Sequence, residues 1–126
     1  MNLLLDTHIL IWWATNDRQL TAQARELISN PENNVFISSI NIWEVAIKHC
    51  KGNLLLPPAL LRNSALESGF EILSFQDTHA IQVSMLPPIH QDPFDRALIA
   101  QAFSEPMHLL THDEIVAQYG NTIKLV

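Results

Sequence analysis

The apolar residues of the chain fall into short bursts with two different periods. Leu3–Leu5 is an apolar run without alternation, closed by Asp6, and predicts a short buried strand. The stretches "NVFIS", "FEILSF", "MHLLTHD" and "TIKLV" predict four more strands. Between them, apolar positions recur every three or four residues. "LTAQARELISN" predicts an amphipathic helix that stops before Pro31, and "THILIWWATN" has room for a helical turn or two. "SINIWEVAIKHCKGN" predicts a helix with Ser39 as N-cap and Gly52 as its stop. "PPALLRNSALESG" opens on proline and closes on Gly69, Asp77 is placed to cap "THAIQVSML", and a last helix runs from Phe94 to about Phe103. Short apolar strands alternating with helices predict an α/β protein, a three-layer α/β/α sandwich whose central parallel sheet is covered on both faces. In such a sheet crossovers are right-handed and ligands sit beyond the carboxyl ends of the strands. The residues that follow each strand therefore carry the functional signal.

Composition narrows the picture. A length of 126 residues predicts a single domain over 1–126, and 48% hydrophobic residues can fill its core. No apolar run approaches the ~20 residues of a membrane span. "MNLLLDTHILIWW" lacks the basic start and small-residue cleavage site of a signal peptide, so a cytoplasmic protein without membrane contact is expected. The single cysteine, Cys50, excludes an internal disulfide and a thiolate cluster, and is expected as a small buried hydrophobe. The net charge is −6, and the excess acid lies entirely in the second half: residues 64–126 carry eight acids against Arg96 and Lys124. A polyanion-binding protein with this balance needs cations at its acidic site; a merely solubilising surface is the plainer alternative.

Several acids stand in awkward places. Asp6 ends the first strand and Asp113 follows the fourth, so in a parallel sheet both project at one edge. Each also fits an ordinary turn or helix cap. Glu44 lies on a helix that is apolar nearly all round, where a carboxylate is costly unless paired with Lys48 or bound to a cation. Lys48 and Lys51 share its face and are candidate phosphate contacts, as is Arg96. In "HQDPFDRALIAQA", Asp92 and Pro93 fit the N-cap and first position of a helix. Asp95 instead heads the stripe Leu98, Ile99, Ala102 that should face the core, away from the side of Arg96 and Gln101. Together Asp6, Glu44, Asp95 and Asp113 would form a cleft that needs a counter-ion, and oxygen ligands suit Mg²⁺ or Mn²⁺. Such sites support phosphodiester cleavage.

Other chemistries lack their motifs. With only Gly52, Gly69 and Gly120 there is no phosphate-binding glycine loop, and no GxSxG elbow or HExxH occurs. The six histidines show no zinc spacing, although His8 and His112 stand near Asp6 and Asp113 and are candidates to touch substrate. Trp43 reads as core, while Trp12 and Trp13 fit either the core or a partner's groove.

"LLLDTHILIWW", "SSINIWEVAIK", "HQDPFDRALIAQA" and "LLTHD" together resemble the PIN domain, and more closely the VapC-type toxin of a VapBC type II toxin–antitoxin module. The resemblance covers essentially the whole chain, and "DPFDR" with "IAQA" is its most specific part. It implies a PIN-like α/β/α fold and a Mg²⁺- or Mn²⁺-dependent ribonuclease, with the family's metal-binding acids falling on Asp6, Glu44, Asp95 and Asp113. Thr7 and Thr111 match small hydroxyl positions beside the site, and Asp92 belongs to the motif without being one of the four. It further implies a homodimer held inactive by a VapB-like antitoxin. The expected activity is hydrolysis of single-stranded or structured RNA. The alternatives are an RNA-processing nuclease of the same fold without an antitoxin, and a catalytically silent protein-binding module.

Overall fold

The computed structural model describes all 126 residues. Its strands are β1 (Asn2–Leu5), β2 (Asn34–Ser38), β3 (Glu71–Leu73), β4 (His108–Thr111) and β5 (Ile123–Leu125). They form one sheet, parallel throughout, in the order β3-β2-β1-β4-β5. The helices are α1 (Thr7–Ala14), α2 (Ala22–Ser29), α3 (Ser39–Cys50), α4 (Pro58–Glu67), α5 (Asp77–Val83), α6 (Pro93–Ser104) and α7 (Glu114–Ala117). Alternation along the strands divides the apolar side chains between two cores. Leu3, Leu5, Val35, Ile37 and Leu110 pack with Ile9, Leu10, Ala24, Ile28 and Leu61 on one face. Leu4, Leu109 and Ile123 pack with Leu98, Ile99, Ala102 and Val116 on the other. This is the three-layer sandwich expected from apolar bursts buried on both faces. No helix is long and apolar enough to cross a membrane.

Several local expectations are corrected. Ser38, not Ser39, caps α3: it still belongs to β2, keeps extended dihedrals, and accepts the Ile40 N–H at 3.0 Å. Ser39 instead accepts the Phe75 N–H at 2.9 Å. Gln76 precedes α5 as its cap, its N–H held by His79 Nδ1 at 3.0 Å, so Asp77 is already inside the helix. Gln101 is fully buried, because α6 is enclosed nearly all round from Ala97 to Ala102. Trp43 is 58% exposed rather than core, resting edge-on against Phe94. Cys50, at the end of α3, is exposed. Helix α7, four residues long, is too short to show a period in the sequence.

Candidate metal and catalytic site

Asp6 is the first residue beyond β1, and Asp113 lies just beyond β4. The two strands are neighbours, with Leu5 opposite Leu110, and the Asp6 N–H extends the ladder to the Leu110 carbonyl at 3.0 Å. From β1 the chain moves out to β2 and β3, then returns to lay β4 on the other side. The crevice therefore opens at the reversal of strand order, where open α/β sheets bind ligands. Asp6 is buried and caps α1, its Oδ1 accepting the Ile9 N–H at 2.9 Å. Its Oδ2 accepts the Thr111 hydroxyl. The same Thr111 oxygen accepts the Asp113 N–H at 3.0 Å, and Asp113 caps α7 through Ile115. Capping and convergence on one edge thus coexist in both aspartates.

Glu44 reaches this edge through Asn41. The fully buried Asn41 amide donates to the Leu5 carbonyl and to Thr7 Oγ1, both at 3.1 Å, and its Oδ1 accepts the Ser38 N–H at 2.7 Å. These bonds pin the start of α3 to the end of β1, and Glu44 is the helical neighbour three residues on. Its Oε2 meets Lys48 Nζ at 3.3 Å, while Oε1 is buried without any partner. A buried carboxylate oxygen left unpaired is costly, and a cation would satisfy it. The residues present therefore fit a divalent ion with oxygen ligands.

Asp92 caps α6, accepting the N–H groups of Phe94 at 2.9 Å and Asp95 at 3.0 Å, with Pro93 in the first turn. This sets the direction of Asp95, whose Oδ2 lies 2.8 Å from His90 Nε2. The same Nε2 is 3.6 Å from Asp113 Oδ2, so His90, Asp95 and Asp113 form a compact group with metal-ligand potential. His90 Nδ1 accepts the Gln91 N–H at 3.1 Å, which puts the ring proton of the neutral imidazole on Nε2, facing Asp95. Arg96 fixes this loop. Its guanidinium donates to the carbonyls of Val83, Pro87 and His90 and to the Tyr119 hydroxyl. The Tyr119 hydroxyl also accepts the His90 N–H at 2.8 Å. Arg96, expected as a phosphate contact, is thus committed to the protein's own carbonyls. Lys48 is committed to Glu44, and Lys51 is exposed at the end of α3.

A family model for the PIN domain matches residues 3–121. The chain belongs to the PIN domain family. Two solved structures share this PIN fold across nearly their full length. One is VapBC2 from Rickettsia felis bound to a DNA fragment from its promoter: TM-score 0.74, 18% identity, covering 100% of this chain and 98% of that one. The other is a toxin–antitoxin complex from Klebsiella pneumoniae: TM-score 0.66, 23% identity, covering 97% and 95%. At such identities the likeness is one of fold. A comparison with curated proteins finds none that matches.

The carboxylates of this PIN domain act on one another. Burial pushes the Asp6 carboxyl up from 3.8 to about 6; the Thr111 and Ile9 hydrogen bonds pull it down, and Glu44 and Asp113 add to the rise. Burial also raises Asp95 to about 6, helped by Asp92, Asp6 and Glu44 and opposed by His90. Each lies at the N-terminus of a helix, where the dipole offsets part of the repulsion. Because both are raised on folding, the native state holds protons that the unfolded chain has lost between 3.8 and about 6. Their contribution is fully present below about pH 4, fades as pH rises to 6, and leaves a fixed penalty above, about 3 kcal/mol for Asp6 alone. The metal-free protein should thus melt higher at pH 5 than at pH 7.5, and saturating Mg²⁺ should close most of that gap. A melting temperature rising from pH 5 to 7.5 without metal would contradict this electrostatic account.

His90 is the residue that sequence reasoning missed. It lies in the loop before α6, outside any element whose periodicity could orient it, and a search for zinc spacing passes over a lone histidine among aspartates.

Proposed function

We propose that this PIN domain, acting as one domain over residues 1–126, is a Mg²⁺- or Mn²⁺-dependent endoribonuclease and the VapC-type toxin of a toxin–antitoxin pair. The observation that carries this reading is the convergence of Asp6, Glu44, Asp95 and Asp113 on one sheet edge, with Glu44 Oε1 buried and unpartnered. Asp6, Glu44, Asp95 and Asp113 would hold the ion. A bound divalent cation supplies a lowered water pKa and charge stabilisation at a phosphodiester. The chain's own groups prepare the cleft for it. Thr111 orients Asp6, Asn41 and Thr7 bring Glu44 to the edge, and Lys48 occupies one Glu44 oxygen while leaving the other free. Asp92 aims Asp95, and the His90 N–H holds the outer Asp95 oxygen.

The toxin reading is supported by family membership and by full-length likeness to toxin–antitoxin complexes. An apolar groove of about 250 Å³ among Trp43, Phe75, Val83 and Phe94 supports a protein partner. We assign that partner as a VapB-like antitoxin acting on a toxin homodimer in the cytoplasm.

The test is incubation of the purified protein with labelled single-stranded RNA, hairpin RNA and DNA of matched sequence, in Mg²⁺ or in EDTA. Cleavage of RNA that needs the metal is expected. Equal cutting in EDTA, or DNA cut as readily as RNA, refutes the reading.

A further inference from the structure

The cleft is poor in free cations. Lys48 is held by Glu44 and Arg96 by backbone carbonyls, in a chain of net charge −6. A nucleic acid bound here must draw affinity from something besides ion pairing. Beside the carboxylates lies a feature suited to that. His8 and Trp12 stand one helical turn apart on α1, ring centroids 6.0 Å apart and tilted by 36°. His112 lies between Thr111 and Asp113, its centroid 5.5 Å from that of Trp12 at 71°. His112 Nδ1 is held by the Val126 carbonyl at 2.6 Å, so its ring is a fixed wall. Trp12 is fixed as well, half-buried against the core under α1. These three rings, with Asp6 and Asp113, line an open pocket of about 160 Å³.

In size alone that is room for one flat ring system, since roughly 150 Å³ accommodates a benzene. His8 and His112 are each inclined to Trp12, so neither stacks parallel on its face. Asp6 and Asp113 at the pocket's edge repel a phosphate that is not neutralised, whereas a nucleobase is uncharged and stacks on aromatic faces. Because Asp6 and Asp113 line both the pocket and the proposed cation site, a base seated here adjoins the bond to be cut.

We propose that Trp12, walled by His8 and His112, is a docking shelf for one unpaired nucleobase next to the scissile phosphodiester. This rests on the ribonuclease reading above. Bases inside an A-form duplex are stacked and paired, so the shelf makes the cleft select single-stranded or looped RNA.

The experiment measures KM and kcat on an RNA oligonucleotide spanning a bond that the wild-type protein cuts. Matched oligonucleotides carry an abasic nucleotide on one or the other side of that bond. One abasic substitution is expected to raise the wild-type KM about tenfold, the scale of one stacked base. Trp12→Leu, which keeps apolar bulk, should raise KM on the intact RNA by a similar factor with kcat nearly unchanged, and should be indifferent to the abasic site. Trp12→Phe should stay near wild type. A wild-type enzyme indifferent to an abasic nucleotide on either side overturns the shelf without reference to any variant. An abasic penalty in Trp12→Leu equal to that of wild type overturns it too. If the wild-type protein cuts RNA but shows neither effect, only the shelf fails; if it cuts no RNA, the nuclease reading fails and the shelf with it.

Discussion

Asp6→Asn is expected to abolish metal-dependent RNA cleavage, with a loss on the order of 1,000-fold or more, while the fold survives. Asparagine keeps an oxygen that can accept the Ile9 N–H, so the cap of α1 is retained. What disappears is the charge at the centre of the carboxylate group. Since burial already pushes the Asp6 carboxyl up to about 6, its removal relieves the native state at neutral pH. The variant should therefore melt no lower than the parent at pH 7.5 without metal, and its stability should depend less on pH between 4 and 6. Mg²⁺ should stabilise it far less than it stabilises the parent. A variant that cuts RNA at the parent rate removes Asp6 from the mechanism.

Asp95→Asn and Asp92→Ala, three residues apart in one motif, are expected to fail in different ways. Asp92 acts on the cleft only through its charge, which adds to the rise of the Asp95 carboxyl, and it accepts two backbone N–H groups at the start of α6. Replacing it with alanine should cost about 1 kcal/mol, a few degrees in melting temperature, and a modest part of the rate through misaimed Asp95. Asp95→Asn keeps the helix start and should weaken Mn²⁺ binding by at least roughly tenfold, a loss comparable to or larger than that from removing a group that only supports a ligand. Calorimetric titration alongside thermal melts separates the two. Equal losses of affinity and stability in both variants would undo this division between the residue that starts the helix and the residue that faces the cleft.

The large features of the fold were legible because both faces of the sheet are covered, so its central strands carry uninterrupted apolar bursts such as Leu3–Leu5 and Leu109–Leu110. An acid at or just past the end of such a burst is conspicuous for the same reason, and the parallel order of the strands puts Asp6 and Asp113 at one edge. Features set by tertiary enclosure were not legible. Gln101 looks like a surface residue on a helical wheel, yet α6 is packed on nearly every side. Trp43 looks like core, yet lies beside an open groove. Adjacent serines at 38 and 39 satisfy the same capping rule, and only the extent of β2 decides between them. The commitment of Arg96 to the carbonyls around His90 depends on a loop whose path no periodicity encodes.

The central claim is that the four carboxylates form a divalent-cation site. Titrating Mn²⁺ into the purified wild-type protein at pH 7.5, followed by calorimetry, tests it without recourse to a substrate. The account predicts a saturable isotherm that is lost or strongly weakened in Asp6→Asn and Asp95→Asn. No saturable binding, or isotherms unchanged in both variants, would contradict it.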